Sequence, residues 1–89
     1  MRTLARTNQF KRDYKKAKKR RQDVSRLLEV VSRLASGEKL QQSYKDHMLG
    51  GTYRDCRECH IDSDWLLIYR LTSNELVLIR TGSHADLFE

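Results

Sequence analysis

One stretch dictates most of what this chain can fold into. Trp65-Leu-Leu-Ile-Tyr-Arg-Leu71 is nearly all apolar and lies between the polar stretches Asp62-Ser63-Asp64 and Thr72-Ser73-Asn74. An apolar run without alternation, bounded by turn residues, reads as a strand covered on both faces, the centre of a sheet. Two further strands flank it: Tyr53 to Ile61, the most polar, and Glu75 to Arg80. The tail turns at Gly82, and Ser83 can cap a last helical turn.

The front of the chain supplies the covering layer. Arg2 to Arg6 fits a short first strand with Leu4 as its inward residue. Thr7 or Asn8 offers a side-chain oxygen to cap a helix in which Phe10, Tyr14, Ala17 and Arg21 share one stripe. A second helix is predicted from Gln22 to Ser36, with Val24, Leu27, Leu28, Val31, Leu34 and Ala35 on its apolar side. Gly37 suits the left-handed position that ends a helix. Glu38 to Thr52, polar and containing Gly50-Gly51, reads as a loop. The order β-α-α-β-β-β predicts one α+β domain over residues 1–89, with two N-terminal helices packed on one face of a small, mainly antiparallel sheet. The other face is then partly open.

Charge is distributed unevenly. Between Lys11 and Arg21 stand eight basic residues (Lys11, Arg12, Lys15, Lys16, Lys18, Lys19, Arg20, Arg21) and one acid, Asp13. That block carries +7 of a chain total of +6, so the rest sums to −1. Such concentration favours a polyanion, with ribosome or RNA first among candidates, over a merely solvated helix face. No apolar run approaches the ~20 residues of a membrane span. The N-terminus MRTLARTNQF has no apolar signal region, so a cytoplasmic location is expected.

Cys56-Arg-Glu-Cys59-His60 spells a c-type haem attachment site. Positions three apart in a strand point to opposite faces, and no second cysteine pair completes a zinc site. Two reduced cysteines are expected, with no cofactor and no metal.

All three histidines, His47, His60 and His84, lie in the back half with Asp64 and Arg80 among them. Each sits where a loop meets an apolar run, so one rim of the sheet could gather them. Metal-free RNA cleavage needs a base for the 2′-hydroxyl, an acid for the leaving 5′ oxygen and a cation for the phosphoryl oxygens. Histidine titrates near neutrality unaided. Taken singly these residues have plainer roles: a surface histidine, a turn cap at Asp64, a strand-end charge at Arg80. Three histidines plus Asp64 could also ligate zinc, although the usual close-spaced ligand pair is missing.

At these residues the chain resembles the YafQ-type toxins of bacterial type II toxin–antitoxin systems, within the RelE/ParE superfamily. The resemblance runs through Tyr44-Lys-Asp-His47, Leu49-x-Gly51, Arg57-Glu58-x-His60, Asp64-Trp65-Leu-Leu-Ile-Tyr69 and Arg80-Thr-Gly-Ser-His84-Ala-x-Leu-Phe88. It implies a RelE-like microbial RNase fold and a ribosome-dependent endoribonuclease that cuts mRNA in the A site. By the same resemblance His47, His60, Asp64 and His84 are catalytic, His84 the proton donor and Asp64 or His60 the base with His47 assisting. Arg80 would stabilise the phosphate. Phe88, Trp65 and Lys45 would contact substrate, and the basic helix would grip 16S rRNA. A cognate DinJ-like antitoxin is implied, with operator DNA bound only through the joint complex and no membrane partner. The alternative is a non-catalytic module of the same fold, for example a gyrase-directed one.

Overall fold

In the computed structural model, which describes residues 2–88, the apolar run is the middle of a five-stranded sheet. Met1 and Glu89, the ends of the expected domain, lie outside the described residues. The elements are β1 (Thr3–Arg6), α1 (Asn8–Lys19), α2 (Val24–Ala35), β2 (His47–Met48), β3 (Arg57–Asp62), β4 (Trp65–Leu71), β5 (Glu75–Gly82) and α3 (His84–Phe88). The strand order is β1-β5-β4-β3-β2. β1 pairs parallel with β5, placing Leu4 beside Leu76, and all other pairs are antiparallel. The α+β expectation holds, with one short edge strand more than the sequence suggested.

Alternation along β4 divides the interior in two. Trp65, Leu67 and Tyr69 face the helices, where they join Phe10, Ala17, Leu27, Val30, Val31, Leu34, Cys59, Ile61, Leu76 and Leu78. Leu66 and Ile68 face the other way and are covered by Cys56 and Leu87, with Leu49, Tyr53 and Ile79 alongside. Each fully buried aliphatic side chain of β4 contributes about 1.5–3 kcal/mol by leaving water. Cys56 and Cys59 therefore lie on opposite sides of the sheet, both buried and unpaired, so the haem spelling never assembles into a site.

The helix ends follow local chemistry. Phe10 N–H donates to the Thr7 hydroxyl at 2.9 Å, and Ser25 N–H donates to Asp23 at 3.1 Å. Gly37 takes φ +83° after α2, the left-handed turn that the sequence anticipated.

Several expectations need correction. Arg21 lies beyond α1 at φ 60°, exposed, because the chain reverses there; the inward stripe of α1 is Phe10, Asp13 and Ala17. The stripe of α2 is Leu27, Val30, Val31 and Leu34, the i, i+3, i+4, i+7 set, which leaves Leu28 exposed. Leu4 is also exposed, since β1 is an edge strand at the margin of the helix layer. Tyr53 belongs to a 3-10 turn, and β3 begins only at Arg57. The polar loop contains a further 3-10 turn, Gln42–Tyr44, and the two-residue strand β2. No helix among the described residues is long and apolar enough to cross a membrane.

Candidate active site

Sheet register brings the distant polar residues together. His47 on β2 stands opposite Glu58 on β3, Glu58 opposite Ile68 on β4, and Ile68 opposite Arg80 on β5. One row across four strands thus carries a histidine, a carboxylate and a guanidinium around an apolar floor. His60, two residues beyond Glu58, shares its face and pairs with Leu66. Neighbouring strands are ~4.8 Å apart, so the row is ~14 Å across.

His84 reaches the row from the start of α3. Its backbone N–H donates to Asp64 Oδ1 at 3.0 Å, and its ring Nδ1 lies 2.8 Å from the same oxygen. These two hydrogen bonds hold the Asp64 carboxyl below the ordinary carboxylate range. An ionised carboxylate only accepts, so Nδ1 carries the hydrogen and Nε2 is left for chemistry. The His84 and His60 rings are 5.8 Å apart between centroids. Phe88, one turn along α3, lies 6.4 Å from His84 and meets the Tyr53 ring edge-to-face at 5.9 Å.

The turn into α3 is fixed by Asp86. Ser83 N–H donates to its carboxylate at 3.0 Å, and its own N–H donates to the Ser83 hydroxyl at 3.1 Å. Lys16 of α1 and Arg20, which caps the C-terminal end of that helix, reach it at 3.4 and 2.7 Å. The Arg20 guanidinium, followed by the Ser83 N–H, holds this carboxyl far below its usual range. Gly82 is required here, because a Cβ would stand 2.9 Å from that of Asp86.

Glu58 is buried, with its Oε1 3.5 Å from His60 Nε2 and 3.7 Å from His47 Nε2. His47 Nδ1 lies 2.7 Å from the Lys45 carbonyl oxygen, which directs Nε2 toward Glu58. Lys45 itself is exposed and lines a cleft of about 390 Å³ with Arg26, Ser43, Tyr44, His60 and Asp62. Asp46 anchors this loop from beneath, accepting from Arg57 Nε at 3.1 Å and the Tyr69 hydroxyl at 2.7 Å. Arg80 is clamped by Asp13 of α1, which, ahead of a smaller contribution from the Tyr53 hydroxyl, raises its already high pKa.

His47, His60, Asp64 and His84 therefore gather on one face, with Arg80 at its margin and Phe88 beside them. Trp65 does not join them. Its indole is buried under the helices and donates to the Thr81 hydroxyl at 2.9 Å, so it is a core residue with no face for substrate. The eight cations of the basic block are all exposed, but Lys16 and Arg20 also latch α1 to α3. Sequence reasoning missed Glu58, Tyr53 and Asp13. Only Glu58 carried a usable signal, its two-residue spacing from His60. Glu58, His60 and His84 bring one ligand atom each within 4.8 Å of one another, so any cation here would meet this trio and not the His₃–Asp64 set.

Two imidazoles with free nitrogens, each backed by a carboxylate, stand beside a fixed guanidinium. That arrangement can take one proton, give another and hold an anion between them.

Comparison with known proteins points the same way. The family described as "Bacterial toxin of type II toxin-antitoxin system, YafQ" matches residues 2–89. A protein of Escherichia coli (strain K12) named mRNA interferase toxin YafQ is 40% identical over 83 residues, covering 92% of this chain and 90% of the relative. The crystal structure of YafQ from E. coli strain BL21(DE3) superposes with a TM-score of 0.95 at 37% identity, with both chains fully covered. A chain of the E. coli DinJ-YafQ complex superposes with a TM-score of 0.93 at 38% identity, again over both whole chains.

Proposed function

The chain belongs to the YafQ family of bacterial type II toxins, and from that premise we propose that it is an mRNA interferase, an endoribonuclease that cuts mRNA in the ribosomal A site. The observation that carries the reading is the His60–His84 pair on one face, the second ring held by Asp64.

His60 takes the proton from the ribose 2′-hydroxyl, and the 2′ oxygen forms a bond to phosphorus. The bond from phosphorus to the 5′ oxygen breaks, and His84, entering the step as the imidazolium with Nδ1–H on Asp64, donates its Nε2 proton to that oxygen. Asp64 is a poor base because its carboxyl is held low by His84, so its work is to orient that ring and to favour its charged, proton-donating form. Glu58 steadies the cation that forms on His60, and His47 assists through the same carboxylate. Arg80 offsets charge growing on the non-bridging oxygens, and Phe88 and Lys45 position the mRNA. The groups present account for every proton in this scheme.

The exposed cations of α1 grip 16S rRNA. A DinJ-like antitoxin neutralises the toxin, and operator DNA is bound only through that complex. The functional unit is the single domain of residues 1–89, acting in the cytoplasm where translating ribosomes are.

Primer extension on mRNA tests the reading. With 70S ribosomes stalled on a defined codon, the protein should cut within the A-site codon, and the same mRNA without ribosomes should stay intact. Equal cleavage of free mRNA would refute ribosome dependence. Intact mRNA alongside damaged DNA in arrested cells would favour a gyrase-directed binding module.

A further inference from the structure

Asp13 is the one acid in the basic block, and it is buried where the eight cations of the block are exposed. Its two oxygens accept four hydrogen bonds. Oδ1 receives Gln9 Nε2 and Arg80 Nη2, each at 3.0 Å; Oδ2 receives Arg80 Nε at 3.0 Å and the Thr81 N–H at 3.2 Å. Packing of α1 on β5 does not require a carboxylate here, since the same helix face seats Phe10 and Ala17 in the core.

A guanidinium has five N–H donors in a rigid plane. Asp13 engages the edge formed by Nε and Nη2. The three remaining donors include the outer edge formed by Nη1 and Nη2, whose spacing matches two oxygens of one phosphate. With one edge held by two hydrogen bonds to a buried carboxylate, the plane is restrained about its last torsions. Rotamer freedom that a free arginine would lose on meeting the transition state is already gone.

We propose that Asp13 is a positioning residue for catalysis: it clamps the inner edge of Arg80 so that the outer edge is presented, pre-aligned, to the non-bridging oxygens of the cleaved phosphodiester. This rests on the RNA-cleaving reading above and deepens it. The clamp partly neutralises Arg80, so its benefit is alignment and not added charge. It also ties that alignment to α1, the helix that carries the exposed cations.

The test is a double-mutant cycle on the single-turnover rate of mRNA cleavage by 70S ribosomes stalled on one codon. Asp13→Asn keeps the side-chain shape but replaces one acceptor oxygen with an NH2 donor, so the guanidinium loses its two-point clamp. The maximal rate should fall about 10- to 100-fold, while the toxin concentration giving half that rate does not rise. In an Arg80→Ala background the same substitution should change the rate by less than about twofold, because the clamp acts only through Arg80. Asp13→Glu, which retains the charge and displaces the clamp by one methylene, should repeat both results and serves if Asp13→Asn does not fold. An unchanged maximal rate, or an equal loss in both backgrounds, overturns the proposal. If Arg80→Ala alone cleaves normally, the failure lies in the catalytic reading itself.

Discussion

Removing one hydroxyl, by Tyr69→Phe, tests whether the loop that carries His47 is held from below. Tyr69 is fully buried on the central strand, and its hydroxyl donates to Asp46 Oδ2 at 2.7 Å. Asp46 keeps a second donor, Arg57 Nε at 3.1 Å, and its side chain is 20% exposed. A hydrogen bond to a charged acceptor is worth about 1.5–3 kcal/mol net. Water can reach the orphaned oxygen, so the lower half of that range applies, about 1.5–2 kcal/mol. In a domain of this size each kcal/mol moves the midpoint by about 4–8 °C, so Tm should fall by about 6–16 °C. Thermal unfolding followed by circular dichroism at neutral pH measures it. Burial first, and the Asp46 contact second, raise the Tyr69 pKa above the ordinary value of 10.0. A raised pKa means that the stabilisation is complete below pH 10 and lost as pH climbs beyond it. The gap between wild type and Tyr69→Phe should therefore be constant from pH 6 to about 9 and narrow above about pH 10. A Tm change below about 2 °C, or a gap that widens in alkali, would refute the reasoning.

Asp86→Asn should cost about 0.5–1 kcal/mol at pH 7, the scale of a part-exposed ion pair at a helix cap. Because the Asp86 carboxyl is depressed below its ordinary 3.8, the difference from wild type in urea unfolding should persist down to about pH 4 and close at lower pH. Copper or zinc ions should inhibit cleavage by occupying Glu58, His60 and His84 together, and a chelator should restore full activity. Glu58→Gln should weaken that inhibition, whereas activity that needs added metal would contradict the mechanism. Burial raises the thiol pKa of both Cys56 and Cys59; neither should react with iodoacetamide at neutral pH until denaturant is added, and rapid labelling of the native protein would count against the packing described.

What could be read from the residues depended on how local the signal was. Trp65–Leu71 was legible to the residue because burial on both faces leaves an unbroken apolar run with turns at each end. The caps at Thr7 and Ser83 were legible for the same local reason. β2 was not: it is two residues long, and only its pairing with Arg57 and Glu58 makes it a strand. Leu28 and Val30 exchanged roles because a helix face is chosen by how the helix lies on the sheet, which spacing alone leaves open. At the site, the histidines and Asp64 stood out by residue type, but their partners did not. Glu58 stood only as one member of the motif Arg57-Glu58-x-His60, with no role assigned, and Asp13 only as the single acid of a basic run. Their burial comes from strand register and helix docking, both long-range. Trp65 was assigned to substrate by resemblance alone; as the first residue of β4 it takes the helix-facing side with Leu67 and Tyr69.

The central claim is that paired histidines cut RNA through its own 2′-hydroxyl. The direct measurement is the chemistry of the fragment ends, read by mass spectrometry after cleavage of ribosome-bound mRNA in the presence of a chelator. The account predicts a 2′,3′-cyclic phosphate on the upstream fragment and a 5′-hydroxyl on the downstream one, with no product from His84→Ala. A 3′-hydroxyl and a 5′-phosphate, or undiminished cutting by that variant, would contradict it.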